Sequence, residues 1–454
     1  MRAKRIVIVG GGISGLAAAH RLIELGSDVT LLEAGPRLGG IIQTQHRDGF
    51  MLERGPDSFI SEKPEALALA KRLGLESRLI QTNEQHRRSF IVRNGRLRAV
   101  PEGFQLLAPS RILPFLTTDI FSLTGKLRMA ADLILPRQNG KDDESLASFV
   151  RRRLGREALE RMAQPMVGGI YTADPETLSL RATLPRFLDM EQKHRSLILA
   201  MMRQGKTSGT SGARYSLFLS FDKGMQVLVD ALARVVPNVR LNTRINTIKF
   251  NETWTLTSDT GETFEADAVC LAVPAYVASK LLKNVNEQLA AQLNSINYAS
   301  TATLNFAYPR AAIKHPLNGF GFVVPFIEKR SLIACTFSSV KFNGRAPDDH
   351  VLLRAFVGGA LQPEMFALTN METRIEADLS ELLGISGKPL FTEVARWERS
   401  MPQYEVGHLD RVQRIEKNLT PGLALAGNSY RGAGIPDCIR SGETAAEQIF
   451  SSLS

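Results

Sequence analysis

The chain opens on Arg5-Ile6-Val7-Ile8-Val9, a β-branched run without polar alternation, as in a parallel strand buried on both faces. It passes through Gly10-Gly11-Gly12-Ile13-Ser14-Gly15 into Leu16-Ala17-Ala18-Ala19-His20-Arg21-Leu22, a strong helix former. Ser27-Asp28-Val29-Thr30-Leu31-Leu32-Glu33 follows, a second strand ending on an acid. Together they make one β-α-β unit. Residues 105–205 lack strand alternation, and the pattern predicts helices over 145–162 and 188–202, then a Gly/Ser/Thr-rich loop over 206–213. Strand patterns return at 239–245, 254–257 and 267–273, and again at 302–306, 321–324, 332–337 and 351–357. A last strand over 422–428 leads to a helix over 435–450. The order implies an α/β chain that leaves its first domain and comes back to it twice.

At 454 residues the chain exceeds what one hydrophobic core supports, so two or three domains are expected. With 44% hydrophobic and 22% charged residues, disorder is excluded as the main state. No stretch has about twenty consecutive apolar residues, and the basic N-terminus breaks into glycine without a cleavage site. The expectation is a cytoplasmic protein with at most peripheral contact at the inner face of the cell membrane. Cys270, Cys335 and Cys438 lie far apart and are expected to be small buried residues, and the seven histidines show no zinc spacing, so no metal is expected. A net charge of +10 admits nucleic acid, an anionic surface or an acidic substrate. Without a basic run, an RNP-like motif or finger spacing, nucleic acid ranks last.

The glycine turn supplies the first chemistry. Gly10-x-Gly12-x-x-Gly15 follows a strand, opens a helix and precedes Glu33 by about twenty residues, the context of a dinucleotide site. Gly10 permits the tight turn, Gly12 lets backbone approach a pyrophosphate, and Gly15 lets the helix close on the sheet. Gly11, Ile13 and Ser14 complete the phosphate-binding set at the helix N-terminus. Glu33 is expected to accept hydrogen bonds from a ribose diol. NAD and FAD share this turn. Further on come Ala34-Gly35-Pro36-Arg37-Leu38-Gly39-Gly40 and, near the end, Leu425-Ala426-Gly427-Asn428 with Gly432-Ala433-Gly434-Ile435-Pro436-Asp437-Cys438. The Arg-x-Gly-Gly segment resembles the second signature of glutathione-reductase-like flavoproteins, in their amine-oxidase branch, and the C-terminal run resembles that group's closing motif. The resemblance implies FAD in a Rossmann-type domain. It adds Ala34, Arg37, Gly39, Gly40, Gly55, Pro56, Asp57, Ser58, Gly427, Gly434, Ile435, Pro436 and Asp437 as contacts, with Ile245 at the adenine and Trp397 near the flavin.

Four segments narrow the resemblance: Leu52-Glu53-Arg54-Gly55-Pro56-Asp57-Ser58-Phe59, Gly169-Ile170-Tyr171-Thr172-Ala173-Asp174, Met401-Pro402-Gln403-Tyr404 and Gly434-Ile435-Pro436-Asp437-Cys438-Ile439. Together they resemble the protoporphyrinogen oxidase family. Gln192-Lys193-His194-Arg195-Ser196-Leu197-Ile198 and Gly407-His408 resemble its Gram-positive branch, the coproporphyrinogen III oxidases. The resemblance implies an FAD domain from residues 1–60, 218–285 and 393–454, and an α+β substrate domain from 61–104 and 286–392 with an antiparallel sheet. A helical, membrane-association-like insertion would span 105–217. It also implies oxidation of coproporphyrinogen III to coproporphyrin III in haem biosynthesis, with molecular oxygen as acceptor, hydrogen peroxide as product, and hand-over to a downstream haem-pathway enzyme. Six electrons leave, so a two-electron carrier must cycle three times.

By position in the family pattern, Gly168, Gly169, Phe320, Gly321, Phe322 and Val323 line the substrate pocket, with Thr336 and Phe356 as further candidates. No general base is named by the sequence. Plant and animal members carry an arginine five residues before an Asn-Gly-x-Leu turn; here the turn is Asn94-Gly95-Arg96-Leu97 and the matching residue is Ser89. Arg88 and Arg195 are the candidate replacements for holding propionates, since arginine suits bidentate carboxylate contacts. Arg151-Arg152-Arg153 is expected to be a solvated helix face. The apolar residues of 104–135, which touch lipid in membrane-attached relatives, are expected to pack a helical core. A protoporphyrinogen IX oxidase, an amine oxidase with an aromatic cage near Tyr430, a carotenoid-type desaturase and a flavin-containing binding protein without turnover remain open.

Overall fold

The computed structural model describes residues 4–138, 140, 142–207 and 218–453. The opening unit is β1 (Arg5–Val9), α1 (Ile13–Glu24) and β2 (Asp28–Leu32). Three later strands join it: β3 (Asn238–Arg240), β4 (Ala268–Leu271) and β5 (Leu423–Leu425), followed by α2 (Ile435–Leu453). The order across the sheet is β3-β2-β1-β4-β5, and every pair is parallel. Helices and a small antiparallel sheet cover its faces, which is why its strands carry no alternation. Ile6 and Ile8 pack with Leu16, Leu228 and Ile449 on one side, Val7 and Val9 with Trp254, Leu289 and Ile415 on the other.

A second sheet has seven strands, in the order Phe391–Pro402, Tyr298–Pro309, His350–Gly358, Ala334–Phe337, Gly321–Val323, Phe90–Arg93 and Arg96–Ala99. It is not purely antiparallel as expected: Gly321–Val323 runs parallel to Phe90–Arg93, Phe322 opposite Phe90, because residues 90–99 enter from far upstream rather than through a hairpin. One face packs Leu304, Phe306, Phe337 and Leu353 against the helix Met371–Leu383.

Two expected boundaries shift. The helix Glu65–Arg72 buries Ala66, Leu69 and Ala70 in the core that holds Ile6 and Ile449, so residues just past 60 pack with the parallel sheet. Phe391–Pro402, expected to lie largely in the last cofactor-binding segment, is an edge strand of the seven-stranded sheet.

Residues from 105 to 207 are mostly helical around a core that includes Phe149, Leu180, Phe187 and Met201. The helix predicted over 145–162 is interrupted at Gly155 (φ 93°) and gives way to a π turn, Leu159–Ala163, before the helix Gln164–Tyr171. Arg195 (φ 63°) breaks the helix predicted over 188–202. Of the loop predicted over 206–213, Lys206 and Thr207 end the helix Leu197–Thr207, and the remainder lies outside the described residues. The arginine run is not a solvated face. Arg151 is exposed beside Glu176 and Arg152 spans Glu144 and Glu191, but Arg153 is 0% exposed and ion-paired with the equally buried Asp132. Arg153 continues the inward stripe of Leu146, Phe149 and Val150. Residues 104–135 split: Phe104, Leu107, Phe115 and Phe121 are buried, whereas Leu113, Leu123, Leu127 and Ile134 are 72–79% exposed. The helical-core expectation holds for only half of them.

Candidate functional site

The glycine turn behaves as a cradle built by backbone. A Cβ on Gly15 would lie 1.9 Å from the Gly10 carbonyl oxygen, so only glycine lets α1 close on the sheet. A Cβ on Gly12 would meet no protein atom within 4 Å. Gly12 caps α1 without a side-chain hydrogen bond, and no acid sits in the first turn, so that helix end is left to a ligand. The second glycine pair folds back onto the first: the Gly39 amide donates to the Gly11 carbonyl at 2.8 Å, and Gly40 faces the Gly12 Cα. Arg37 closes this turn from within, donating to the carbonyls of Leu38, Gly40 and Ile42. It is a backbone clamp, not a free cation.

Glu33 does more than await a ribose. Its two oxygens accept the amides of Gly11 and Gly35, each at 2.7 Å, which ties the glycine turn to the next loop while leaving further lone pairs. The Thr243 amide donates to the Glu33 carbonyl, and Ile245 begins its strand two residues later, buried beside this end of the sheet.

The loop Glu53–Ser58 is the second wall. Gly55 is required by packing, since a Cβ there would lie 1.7 Å from the Ile41 carbonyl oxygen. Side chains of the seven-stranded sheet pin its backbone: Thr303 Oγ1 and Trp397 Nε1 donate to the Arg54 carbonyl at 2.6 and 2.9 Å, and Arg354 to the Gly55 carbonyl. Asp57 is therefore no free ligand. Lys341 Nζ lies 2.9 Å from both its oxygens and Arg354 3.6 Å away. Burial opposes its ionisation, but Lys341 and Arg354, with the hydrogen bond from Ser58, outweigh that and hold the carboxyl well below the usual range. Glu53, also buried, is pushed up by burial while accepting the Met225 amide and the Thr44 hydroxyl. Sequence reasoning assigns Lys341 and Arg354 no role. The available signal for Arg354 is a lone charge inside the apolar run 351–357.

The closing motif completes the cradle. A Cβ on Gly427 (φ 132°) would meet nothing within 4 Å, as at Gly12. Asp437, in the first turn of α2 with Gly434, Ile435 and Pro436, is engaged by Lys63 and Arg440. Any contact with a ligand from this turn therefore falls to its backbone. Two open glycine positions, an uncapped helix end and a paired acid fit an extended dinucleotide.

On the substrate side, the register puts Gly321, Thr336, Arg354 and Asn305 in one row across the sheet. Val323, Ala334, Phe356, Thr303 and Ala395 form the next row, and Thr301 and Trp397 follow. Successive side chains alternate between faces, so this face carries Gly321, Val323, Thr336, Phe356 and Trp397 together. Phe322 falls on the other face, 2% exposed in the core with Phe337, and Phe320 is buried as well. For Phe322 the expected place in the pocket is corrected: the alternation that puts Gly321 and Val323 on this face sends Phe322 to the other. The helix Gln164–Tyr171 brings Gly169 to within 4.0 Å of Val323, measured from an ideal Cβ. Arg88 is exposed beside Phe320, whose amide donates to the Arg88 carbonyl, and its guanidinium has no partner among the described residues. Arg195 is exposed too, but it donates to the Leu133 carbonyl and its own carbonyl takes a hydrogen bond from Arg153. Arg195 belongs to the helical region's polar hub.

The flavin containing amine oxidoreductase family matches residues 13–450. Coproporphyrinogen III oxidase of Bacillus subtilis (strain 168) is 36% identical over 99% of this chain and 98% of that protein. The Staphylococcus aureus (strain NCTC 8325 / PS 47) enzyme of the same name is 34% identical, covering 99% of this chain and all of its own. A crystal structure from Exiguobacterium sp. 255-15 superposes with a TM-score of 0.90 at 33% identity, over 99% of each chain.

Proposed function

The chain belongs to the flavin-containing amine oxidoreductase family, and within it we propose an oxygen-dependent FAD oxidase that converts coproporphyrinogen III to coproporphyrin III in haem biosynthesis. The observation that carries the reading is end-to-end similarity to relatives of that name, combined with an intact cradle that fits FAD. When bound, FAD accepts two electrons at a time and returns them to oxygen, so six electrons take three rounds. The chain's residues do the rest. The uncapped end of α1 and Gly12 receive phosphates, and Glu33 the ribose. Val323, Thr336 and Phe356 give a mostly apolar floor for a macrocycle, and Arg88 a free cation for a propionate. Asp57, in the loop Glu53–Ser58, is held ionised by Lys341 and Arg354 and so does not serve as a proton acceptor. This fits a reaction in which the cofactor carries the chemistry and the protein fixes position.

The test is to supply coproporphyrinogen III and protoporphyrinogen IX side by side in air, following porphyrin fluorescence and hydrogen peroxide. A higher kcat/KM for coproporphyrinogen, narrowing as salt rises, is expected, because it carries two more carboxylates toward a basic protein. Equal or better turnover of protoporphyrinogen at every ionic strength would remove the substrate assignment and leave the oxidase. No oxygen uptake despite bound FAD would favour a binding protein.

No helix among the described residues is long and apolar enough to cross a membrane. Ile112, Leu113, Leu116, Leu123, Leu127 and Ile134, all from the short helices and turns of 112–134, are nevertheless exposed apolar side chains in a basic stretch that includes Arg111, Lys126 and Arg128. We propose that this stretch rests peripherally on an anionic membrane, close to where product is passed on to a later haem-pathway enzyme. Leu113→Asp with Leu127→Asp should abolish co-sedimentation with anionic vesicles; unchanged sedimentation removes the proposal. The matching division of the chain is an FAD part, a substrate part and a helical part, with the two boundary shifts described above.

A further inference from the structure

Met401-Pro402-Gln403-Tyr404 and Gly407-His408 take no part in the cradle itself, yet they hold most of its closing loop. Tyr404, 2% exposed, donates its hydroxyl proton to the Asn428 carbonyl and accepts the Gly432 amide at 3.0 Å. The Ser400 carbonyl, just upstream, accepts from Asn428 Nδ2 at 3.1 Å. His408 is 0% exposed, and its Nε2 lies 2.8 Å from the Tyr430 carbonyl oxygen. A carbonyl only accepts, so Nε2 carries the proton and Nδ1 is the bare nitrogen. The rings of Tyr404 and His408 stack, 4.3 Å between centroids and 20° between planes.

The same segment is fastened to the substrate wall. The Tyr404 ring lies 6.2 Å from that of Tyr171, the last residue of the helix that carries Gly168 and Gly169. The Tyr404 carbonyl accepts the Ser179 amide at 2.7 Å, the Gly407 amide donates to Asp143, and Asp410 pairs with Arg181. One short stretch thus touches the helical wall with one side and three residues of the loop after Gly427 with the other.

We propose that Tyr404, seconded by His408, is a positioning residue that locks the cofactor-side loop 428–432 to the substrate wall. Three successive oxidations act on differently shaped intermediates, so the cofactor and the Gly168–Gly169 backbone must keep one relative position throughout. The phenol is used twice, once as donor and once as acceptor; removing it leaves a carbonyl and an amide unpaired in a buried place. The inference rests on the FAD reading and not on which porphyrinogen is used.

The experiment compares FAD-loaded wild type with Tyr404→Phe, His408→Leu and His408→Gln. It measures FAD dissociation by flavin fluorescence, the visible flavin absorption band, the reduction potential, and kcat and KM separately. Tyr404→Phe keeps the ring stack, and His408→Gln keeps a donor for the Tyr430 carbonyl. Tyr404→Phe and His408→Leu should release FAD about tenfold more readily, the equivalent of one or two lost hydrogen bonds. Both should move the absorption band and lower kcat while KM stays within about twofold, and His408→Gln should stay near wild type. An unchanged band, potential and FAD affinity in Tyr404→Phe would overturn the inference, as would equal losses in His408→Gln and His408→Leu. Wild type that binds no FAD would instead remove the cofactor reading.

Discussion

The two walls of the site are made in opposite ways. The nucleotide wall is backbone: Gly12, Gly15, Gly39 and Gly40 shape it through what they lack, and its charged members, Glu33 and Arg37, hold amides and carbonyls. The proposed substrate wall is side chain, and its members meet only because strands from 90–99, 321–358 and 391–402 fall into register. A backbone wall tolerates no added atom where packing is closed. A register wall tolerates changes in side chain but not a slip of one residue, which would exchange its faces.

Substitutions at two glycines of one turn should separate these properties most sharply. Gly15→Ala should prevent stable folding, because its Cβ collides with the Gly10 carbonyl; soluble protein with normal circular dichroism would contradict the packing argument. Gly12→Val should fold and be colourless, because the new side chain enters open space that the cofactor needs. Normal FAD content in that variant would sink the cradle. Next in size, Asp57→Asn strands Lys341 and Arg354 in a buried place and should cost about 3 kcal/mol in denaturant unfolding, with Lys341→Met added to it recovering part.

His408 links the walls and should make stability depend on acid. Burial holds its imidazole at about 4, below its ordinary 6.5. The unfolded chain takes up a proton first, so stability is full above about pH 6.5 and is lost as pH falls towards 4, by about 3 kcal/mol. His408→Gln should flatten that slope in urea titrations between pH 7 and 4. The smallest effect is expected at Arg88, where Arg88→Ala should weaken coproporphyrinogen III binding by about 0.2–1 kcal/mol, seen in KM at low salt. No change at any ionic strength would move the propionate anchor elsewhere.

The backbone wall was legible because its information is local. Turn, helix and acid lie within residues 5–33, and each glycine answers to a neighbour nearby in sequence or in the sheet. The register wall was only partly legible. Family position groups Gly321, Phe322 and Val323 together, but only the alternation of a three-residue strand separates Phe322 from its two neighbours. Three adjacent arginines look like a charge run, whereas the spacing from Leu146 and Val150 points Arg153 inward. Lys341 and Arg354 carry no local signal of their role, because their partner, Asp57, is nearly 300 residues upstream and only the fold brings them together. The exposed apolar side chains of 112–134 are hard to read for a related reason: buried and exposed apolar residues interleave along the same short helices.

The order β3-β2-β1-β4-β5 also has a consequence for synthesis. β1 emerges first, but its inner neighbour β4 follows more than 250 residues later, and the edge strand β5 ends at Leu425. On a ribosome the cofactor cradle therefore stays open until β5 has emerged. The helices around Phe149 and Phe187 draw on contacts much closer in sequence and can condense early. Tyr404 is delivered shortly before Gly427, so the residue that fastens the loop after Gly427 is already present when that loop emerges. FAD then meets a cradle that β5 and its following loop have just completed, and its binding would act as a closing step of the cradle's folding.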